Sequence, residues 1–280
     1  LDQLAQREGK PLVICMALGS NTGGHTGENA LSLYLNYVCR KVGRAVAVAA
    51  GNEGNKGHHY FGIVPRDQDY TEVELRVGAG EKGFQVNLWG NAPDLFSVEV
   101  IAPSGEKIPR FVARKLDRQR YDFVFESTIL DIQYELSEIV SGDQRLLLAF
   151  QKPTPGIWMI RVYAEGNLEN TFHMWLPVTG FISDETYFLR PDPDTTVTEP
   201  GNAEGVLTFS GYDARNGSIW YDSGRGYTRN GRLNPALSAP ALAVAAVALP
   251  GRVTTLTGRS AAATLGSRAR SLFPERGSAL

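Results

Sequence analysis

Two polar side chains in this sequence stand where the backbone around them is made of small residues. Asn52 follows the unbroken apolar run Ala45-Val46-Ala47-Val48-Ala49-Ala50 and lies within Gly51-Asn52-Glu53-Gly54. Taken alone, Gly-Asn-x-Gly is a common turn. Its glycines also let the main chain turn sharply and come close to a bound group, with an amide beside it to form hydrogen bonds. Ser260 stands just before Ala261-Ala262-Ala263. A serine at the start of a helix has its backbone N–H free to donate to an anion. The chain has four histidines, His25, His58, His59 and His173. The adjacent His58 and His59 could ligate a metal, but no carboxylate or third ligand has suitable spacing, so they read as a structural loop pair. Cys15 and Cys39 lack Cys-x-x-Cys spacing and read as two buried free thiols.

The elements around Asn52 follow from periodicity. The run 45–50 reads as a strand buried on both faces, as in a parallel sheet under helices. Pro11 to Gly19 repeats that pattern and ends in Gly19-Ser20-Asn21. A glycine-rich loop, Thr22 to Gly27, comes next. From Glu28 the period is helical, with Leu31, Tyr34, Leu35, Val38 and Val42 on one face. Strand, helix and strand in this order make a βαβ unit, so the two strands run parallel through a right-handed crossover. Their carboxyl ends, Ala17–Ser20 and Ala50–Gly54, should lie side by side, on the edge where open α/β sheets bind ligands.

The period changes to two near Pro65. Val73, Leu75 and Val77 alternate, as do Phe84, Val86 and Leu88; Val98 and Val100; Phe123 and Phe125; Leu146, Leu148 and Phe150; and Trp158, Ile160 and Val162. Turn residues separate these runs, which indicates an antiparallel sandwich or jelly roll. After Asp192-Pro193-Asp194 the character changes again. Pro200-Gly201-Asn202-Ala203 could open a short helix, and Val206 to Phe209 reads as a strand. The expected organisation is a parallel-sheet α/β domain in two segments, 1–65 and 191–265, interrupted by a β insertion over 66–190, with an irregular tail over 266–280. Leu1, Leu4 and Ala5 share a helical face with no cap before them, which reads as a chain whose amino-terminal part is absent.

Composition narrows the partners. The chain has 280 residues, 42% hydrophobic and 21% charged, with a formal net charge of −2. That balance gives no electrostatic reason to expect nucleic acid or an anionic membrane, and no apolar run approaches the ~20 residues of a bilayer span. No cofactor or metal motif is present.

Four blocks, in order, resemble the subtilisin-like serine peptidases: Ala17-Leu18-Gly19; Ala50-Gly51-Asn52-Glu53-Gly54; Ser223-Gly224-Arg225-Gly226 through Ala239-Pro240; and Gly258-Arg259-Ser260-x-Ala262. The chain is most similar to the clostridial germination-protease type, which carries a jelly-roll insertion at this point. The resemblance implies a subtilisin-like layered α/β domain. It also implies that Ser260 attacks a peptide carbonyl and that Asn52 donates to the oxyanion. Ala17, Leu18 and Gly19, with Ala50 and Gly51, would line the specificity pocket and pair with the substrate backbone. A protein or peptide substrate and a secreted or spore-associated location come with it.

The family order is Asp, then His, then Ser. Both the Asp and the His precede the strand that begins here at Pro11, so this chain by itself should be inactive. Arg259 replaces the usual Thr, Ala236 the usual Asp and Ala241 the usual Gly, and Gly266 to Arg270 should break the last helix. These departures read as degeneration or as a shifted reading frame, and Arg259 beside the serine motivates an alternative: a non-catalytic pseudoprotease kept as a binding or regulatory scaffold. A weaker reading makes Trp89, Tyr121, Trp158 and Trp175 a sugar platform, although their alternating positions favour the core.

Overall fold

The computed structural model describes residues 1–110, 118–165, 170–249 and 251–271. They form two compact units, one from Leu1–Asn55 with Pro193–Leu280 and the other from Lys56–Asp192.

The first unit opens with α1 (Asp2–Arg7), β1 (Leu12–Met16), α2 (Ala30–Cys39) and β2 (Arg44–Ala49). Asp2 accepts from Arg44 Nε at 2.6 Å and from Lys41 Nζ at 2.7 Å, which ties α1 to the start of β2. Asn29 caps α2 by accepting the Ser32 N–H at 2.9 Å, satisfying one of the orphan donors of the first turn. β1 and β2 are parallel, with Met16 opposite Val48.

Eleven strands of the second unit lie among the described residues. They are β3 (His59–Ile63), β4 (Tyr70–Val77), β5 (Gly83–Gly90), β6 (Phe96–Ile101), β7 (Lys107–Ile108), β8 (Arg118–Asp122), β9 (Ile129–Glu135), β10 (Gln144–Gln151), β11 (Gly156–Ala164), β12 (Thr171–Trp175) and β13 (Tyr187–Phe188). They make a six-stranded sheet, β3-β12-β5-β10-β9-β8, and a five-stranded sheet, β13-β4-β11-β6-β7. All the pairings are antiparallel. One apolar core joins residues of both sheets. The alternating residues Val73, Leu75, Val86, Leu88, Val98, Val100, Leu146, Leu148, Ile160 and Val162 are all fully buried in it. Trp158 meets Phe123 and Phe150 edge-on, at centroid distances of 5.1 and 5.3 Å. Trp89, Trp158 and Trp175 are buried and Tyr121 packs against the core, so these four side chains do not form an exposed platform.

The chain then returns to the first unit with β14 (Leu207–Tyr212), β15 (Leu237–Pro240), the hairpin β16 (Val244–Ala248) and β17 (Arg252–Leu256), and α3 (Arg259–Ser271). β14 and β15 extend the parallel sheet to the order β1-β2-β14-β15. Period-two alternation decides what covers each face. Val46 and Val48 pack with Leu35 and Val38 of α2. Ala47, between them, faces the other way and packs with Phe209, Ala239, Ala241 and Ala262. Helices α2 and α3 therefore cover opposite faces of one sheet.

Five sequence expectations need correction. Cys15 is exposed rather than buried: β1 is the outer strand of the described sheet. Alternation sends Ile14 and Met16 toward the α2 core, while Cys15 has Thr264 Oγ1 only at 4.0 Å. Residues 200–203 form a turn, closed by the Ala203 N–H on the Pro200 carbonyl at 3.0 Å, and not a helix. Phe125 is exposed in a loop, because Glu106 accepts the Val124 and Phe125 N–H groups in place of a neighbouring strand. β3, placed ahead of the insertion by the boundary at 65, is hydrogen-bonded to β12 within the second unit. Finally, Gly266 to Arg270 do not end α3, which runs to Ser271. Gly266 lies against the Phe209 ring, where a Cβ would overlap the ring carbons, so packing on the sheet overrides glycine's weak helix propensity. Residues 272–280 of the expected tail lie outside the described residues.

Candidate active site at the carboxyl edge of the parallel sheet

Four parallel strands end on one edge of the sheet, and the residues of interest follow those ends. Ala17-Leu18-Gly19 continues β1 and Ala50-Gly51-Asn52 continues β2. Ala50 and Gly51 are buried, Ala17 and Gly19 are half-buried and Leu18 is exposed. Gly51 has φ +106°, a backbone conformation that glycine adopts at no steric cost.

Backbone hydrogen bonds fix the Gly51 corner from three sides. Ala50 N–H donates to the Phe209 carbonyl at 3.0 Å, Thr198 N–H to the Ala50 carbonyl at 2.9 Å, and Gly224 N–H to the Gly51 carbonyl at 2.8 Å. Gly54 N–H donates to the Asp222 carbonyl at 3.1 Å. Asn52 is thus held between anchored neighbours. Its Oδ1 is buried and has no hydrogen-bond partner among the described residues. An unpaired buried amide oxygen costs about 1–3 kcal/mol.

Ser260 is exposed and lies in the first turn of α3. The Gly258 N–H donates to the Ala241 carbonyl at 2.8 Å, and Ala241 follows the end of β15 directly. Buried Ala261, Ala262 and Ala263 seat the first turn of α3, with Ala262 in the core shared with β2, β14 and β15. Of Arg259 only the backbone is described. Gly258, two residues before Ser260, is thus tied to the carboxyl end of β15, on the edge where Asn52 follows β2, with β14 between the two strands.

Three histidines have partners of their own. His25 is fully buried, with Nδ1 2.9 Å from the Val197 carbonyl oxygen and Nε2 3.4 Å from that of Asn21. His59 Nε2 and His173 Nδ1 are 2.9 Å apart in the second unit, and both rings stack with Trp175. A separate concavity of about 430 Å³ is lined by Thr26, Glu28, Asn36, Arg40 and Arg232 among others, and neither Asn52 nor Ser260 lines it.

No family model and no curated protein matches the sequence. The structure itself is similar to that of the CspB protease of Clostridium perfringens, with a TM-score of 0.90 over 99% of this chain and 28% sequence identity. The fold is that of a protease. The chain spans 58% of the length of that protein.

Within this protease fold the strap Thr196–Glu199 also reaches the strand ends. Ser20 and Glu199 pair as an antiparallel bridge, with N–H to carbonyl distances of 3.0 and 2.8 Å. Thr196 N–H donates to the Arg225 carbonyl at 2.8 Å, and Thr196 Oγ1 accepts from the Arg225 N–H at 3.0 Å. The strap therefore bonds both strand ends at once. Its sequence, Thr-Val-Thr-Glu, alternates weakly, and its partners are distant in the chain, so no local signal pointed to it. No helix among the described residues is long and apolar enough to cross a membrane.

Proposed function

We propose that these residues form part of the catalytic domain of a subtilisin-like serine endopeptidase, interrupted by a jelly-roll insertion. The observation that carries this reading is the common edge shared by Asn52 and Ser260 in a protease fold. Ser260 Oγ attacks the carbonyl carbon of a bound peptide, and its proton passes to a general base. The developing oxyanion accepts from Asn52 Nδ2 and from the Ser260 backbone N–H, which is free in the first helical turn. The C–N bond then breaks, the leaving amine takes the proton, and water hydrolyses the acyl-enzyme. Ala17 to Gly19 and Ala50 with Gly51 hold the substrate backbone as an added strand.

This reading takes the base from none of His25, His59 and His173. The ring nitrogens of His25 lie against backbone carbonyls, and His59 Nε2 and His173 Nδ1 lie 2.9 Å from each other.

The test uses the full natural protein that carries this chain, treated with a fluorophosphonate probe. Labelling at Ser260, lost in Ser260→Ala, is expected. Asn52→Ala should lower kcat by ~10²–10³, a magnitude that comes from subtilisin itself. A correctly folded protein that takes up no label would overturn the reading and leave the pseudoprotease scaffold in its place.

A further inference from the structure

In the second unit a buried carboxylate meets a buried amide at the junction of three chain segments. Asp94 lies between β5 and β6, where its N–H donates to the Asn91 carbonyl at 2.9 Å. It is 5% exposed. Asn170 directly precedes β12 and is 4% exposed. Its backbone N–H donates to Asp94 Oδ2 at 2.9 Å, and its carbonyl accepts the Val64 N–H at 3.0 Å. The turn before β6, the residue after β3 and the residue before β12 are therefore tied together here.

Two side-chain oxygens of this junction are unused. Asp94 Oδ1 and Asn170 Oδ1 are both buried with no hydrogen-bond partner among the described residues. No lysine or arginine among the described residues pairs with Asp94. Its carboxylate thus rests on the Asn170 N–H alone. A charge taken out of water needs a counter-charge, or enough donors to replace its hydration. Packing does not supply either one.

We infer that Asp94 and Asn170 form a cation site that takes calcium. The argument is donor chemistry. A carboxylate oxygen and an amide oxygen are hard donors of the kind that bind Ca²⁺, whereas zinc and copper favour nitrogen and sulfur. Calcium fills the rest of its shell with backbone carbonyls and water and tolerates irregular geometry, which suits a junction of loop ends; Mg²⁺ demands a near-ideal octahedron. Among the described residues no three His, Cys, Asp or Glu side chains gather at one point. The site therefore offers one protein charge, and its affinity falls at the weak end of the calcium range, with Kd about 10⁻⁴–10⁻³ M. The bound ion neutralises Asp94 and fastens the three segments to one another. The site lies wholly within the second unit and does not depend on the peptidase reading.

The test uses the full natural protein that carries this chain, freed of metal by a chelator and dialysed against calcium chloride in the millimolar range. Bound calcium is counted by atomic emission. The wild type should hold one calcium ion per chain more than Asp94→Asn, and calcium should raise the melting temperature of the wild type more than that of Asp94→Asn. Asn170 has φ +53°, which glycine adopts freely, so Asn170→Gly keeps the N–H on Asp94 and removes only the side-chain amide. It should weaken calcium binding about 10-fold or more. If Asp94→Asn does not fold, Asn170→Gly decides. Equal calcium counts in the wild type and a folded Asp94→Asn protein, or unchanged affinity in Asn170→Gly, overturn the inference and leave a buried water as the partner of both oxygens.

Discussion

Ser32 Oγ donates to Glu199 Oε2 at 3.1 Å, so the first turn of α2 holds the carboxylate of the strap that bonds the strand ends. Glu199 is almost fully buried, and that burial pushes its carboxyl above the ordinary value of 4.5, against the hydrogen bonds from Ser32, Asn202, Asn29 and the Gly27 backbone. A raised value means that the folded chain binds this proton more tightly than the unfolded chain does. The resulting stabilisation is complete below about the ordinary carboxylate value and is lost as pH climbs through the folded value. Glu199→Gln keeps an oxygen for Ser32 and removes the ionisation. Its melting temperature should exceed that of the wild type at about pH 8 and lose that advantage at about pH 4. A constant difference between the two proteins across thermal melts at both pH values would contradict this account.

Gly266 offers a test with an inverted sign. Within a helix, Gly→Ala usually stabilises by about 0.5–1 kcal/mol. Here the added methyl would overlap the Phe209 ring, so Gly266→Ala should destabilise by about 1–3 kcal/mol. Urea unfolding with an unchanged m-value reads the effect directly. A gain in stability would show that α3 does not lie on Phe209.

The loop after β8 depends on one carboxylate. Glu106 accepts the Val124 N–H and the Phe125 N–H, each at 2.9 Å. Glu106→Ala should free both amides while the buried strands keep their protection. Hydrogen exchange at residues 124 and 125 is expected to rise about 10-fold or more, the equivalent of losing ~1.4 kcal/mol of local protection. Unchanged exchange would assign the ordering of this loop to other contacts.

Trp158 is one of two fully buried tryptophans in the second unit and donates Nε1–H to the Thr154 carbonyl at 2.9 Å. Trp158→Ala removes that bond and two edge-on aromatic contacts, for an expected loss of about 3–5 kcal/mol. The folded fraction, read from near-ultraviolet circular dichroism at 37 °C, should fall clearly. A loss below about 1 kcal/mol would mean that the core closes over the gap.

Much of the architecture was legible because burial imposes its period on the residues directly. The run Ala45–Ala50 had to be a two-sided buried strand, and α2 and α3 cover its two faces. Val73 to Val162 alternated as the inner faces of a sandwich do, and those residues are its core. The exceptions have side-chain causes. Glu106 takes the backbone N–H groups that would have made Phe125 part of a strand, and β1, as the outer strand, leaves Cys15 with one covered neighbour. Periodicity cannot register either effect, because it counts side-chain faces and not hydrogen-bond partners.

By itself the sequence determined which residues could carry the chemistry: an amide between glycines at a strand end and a serine before an alanine run. Both properties are local, being set by small residues that free the backbone. Only the tertiary structure decided that Asn52 and Ser260 stand on one edge of one sheet, and that the Thr198 N–H reaches the Ala50 carbonyl. Those relationships depend on the strap and α3 returning to strands laid down much earlier in the chain. The bonds that hold them, Thr198 to Ala50 and Gly258 to Ala241, join residues whose separation along the chain carries no periodic signal.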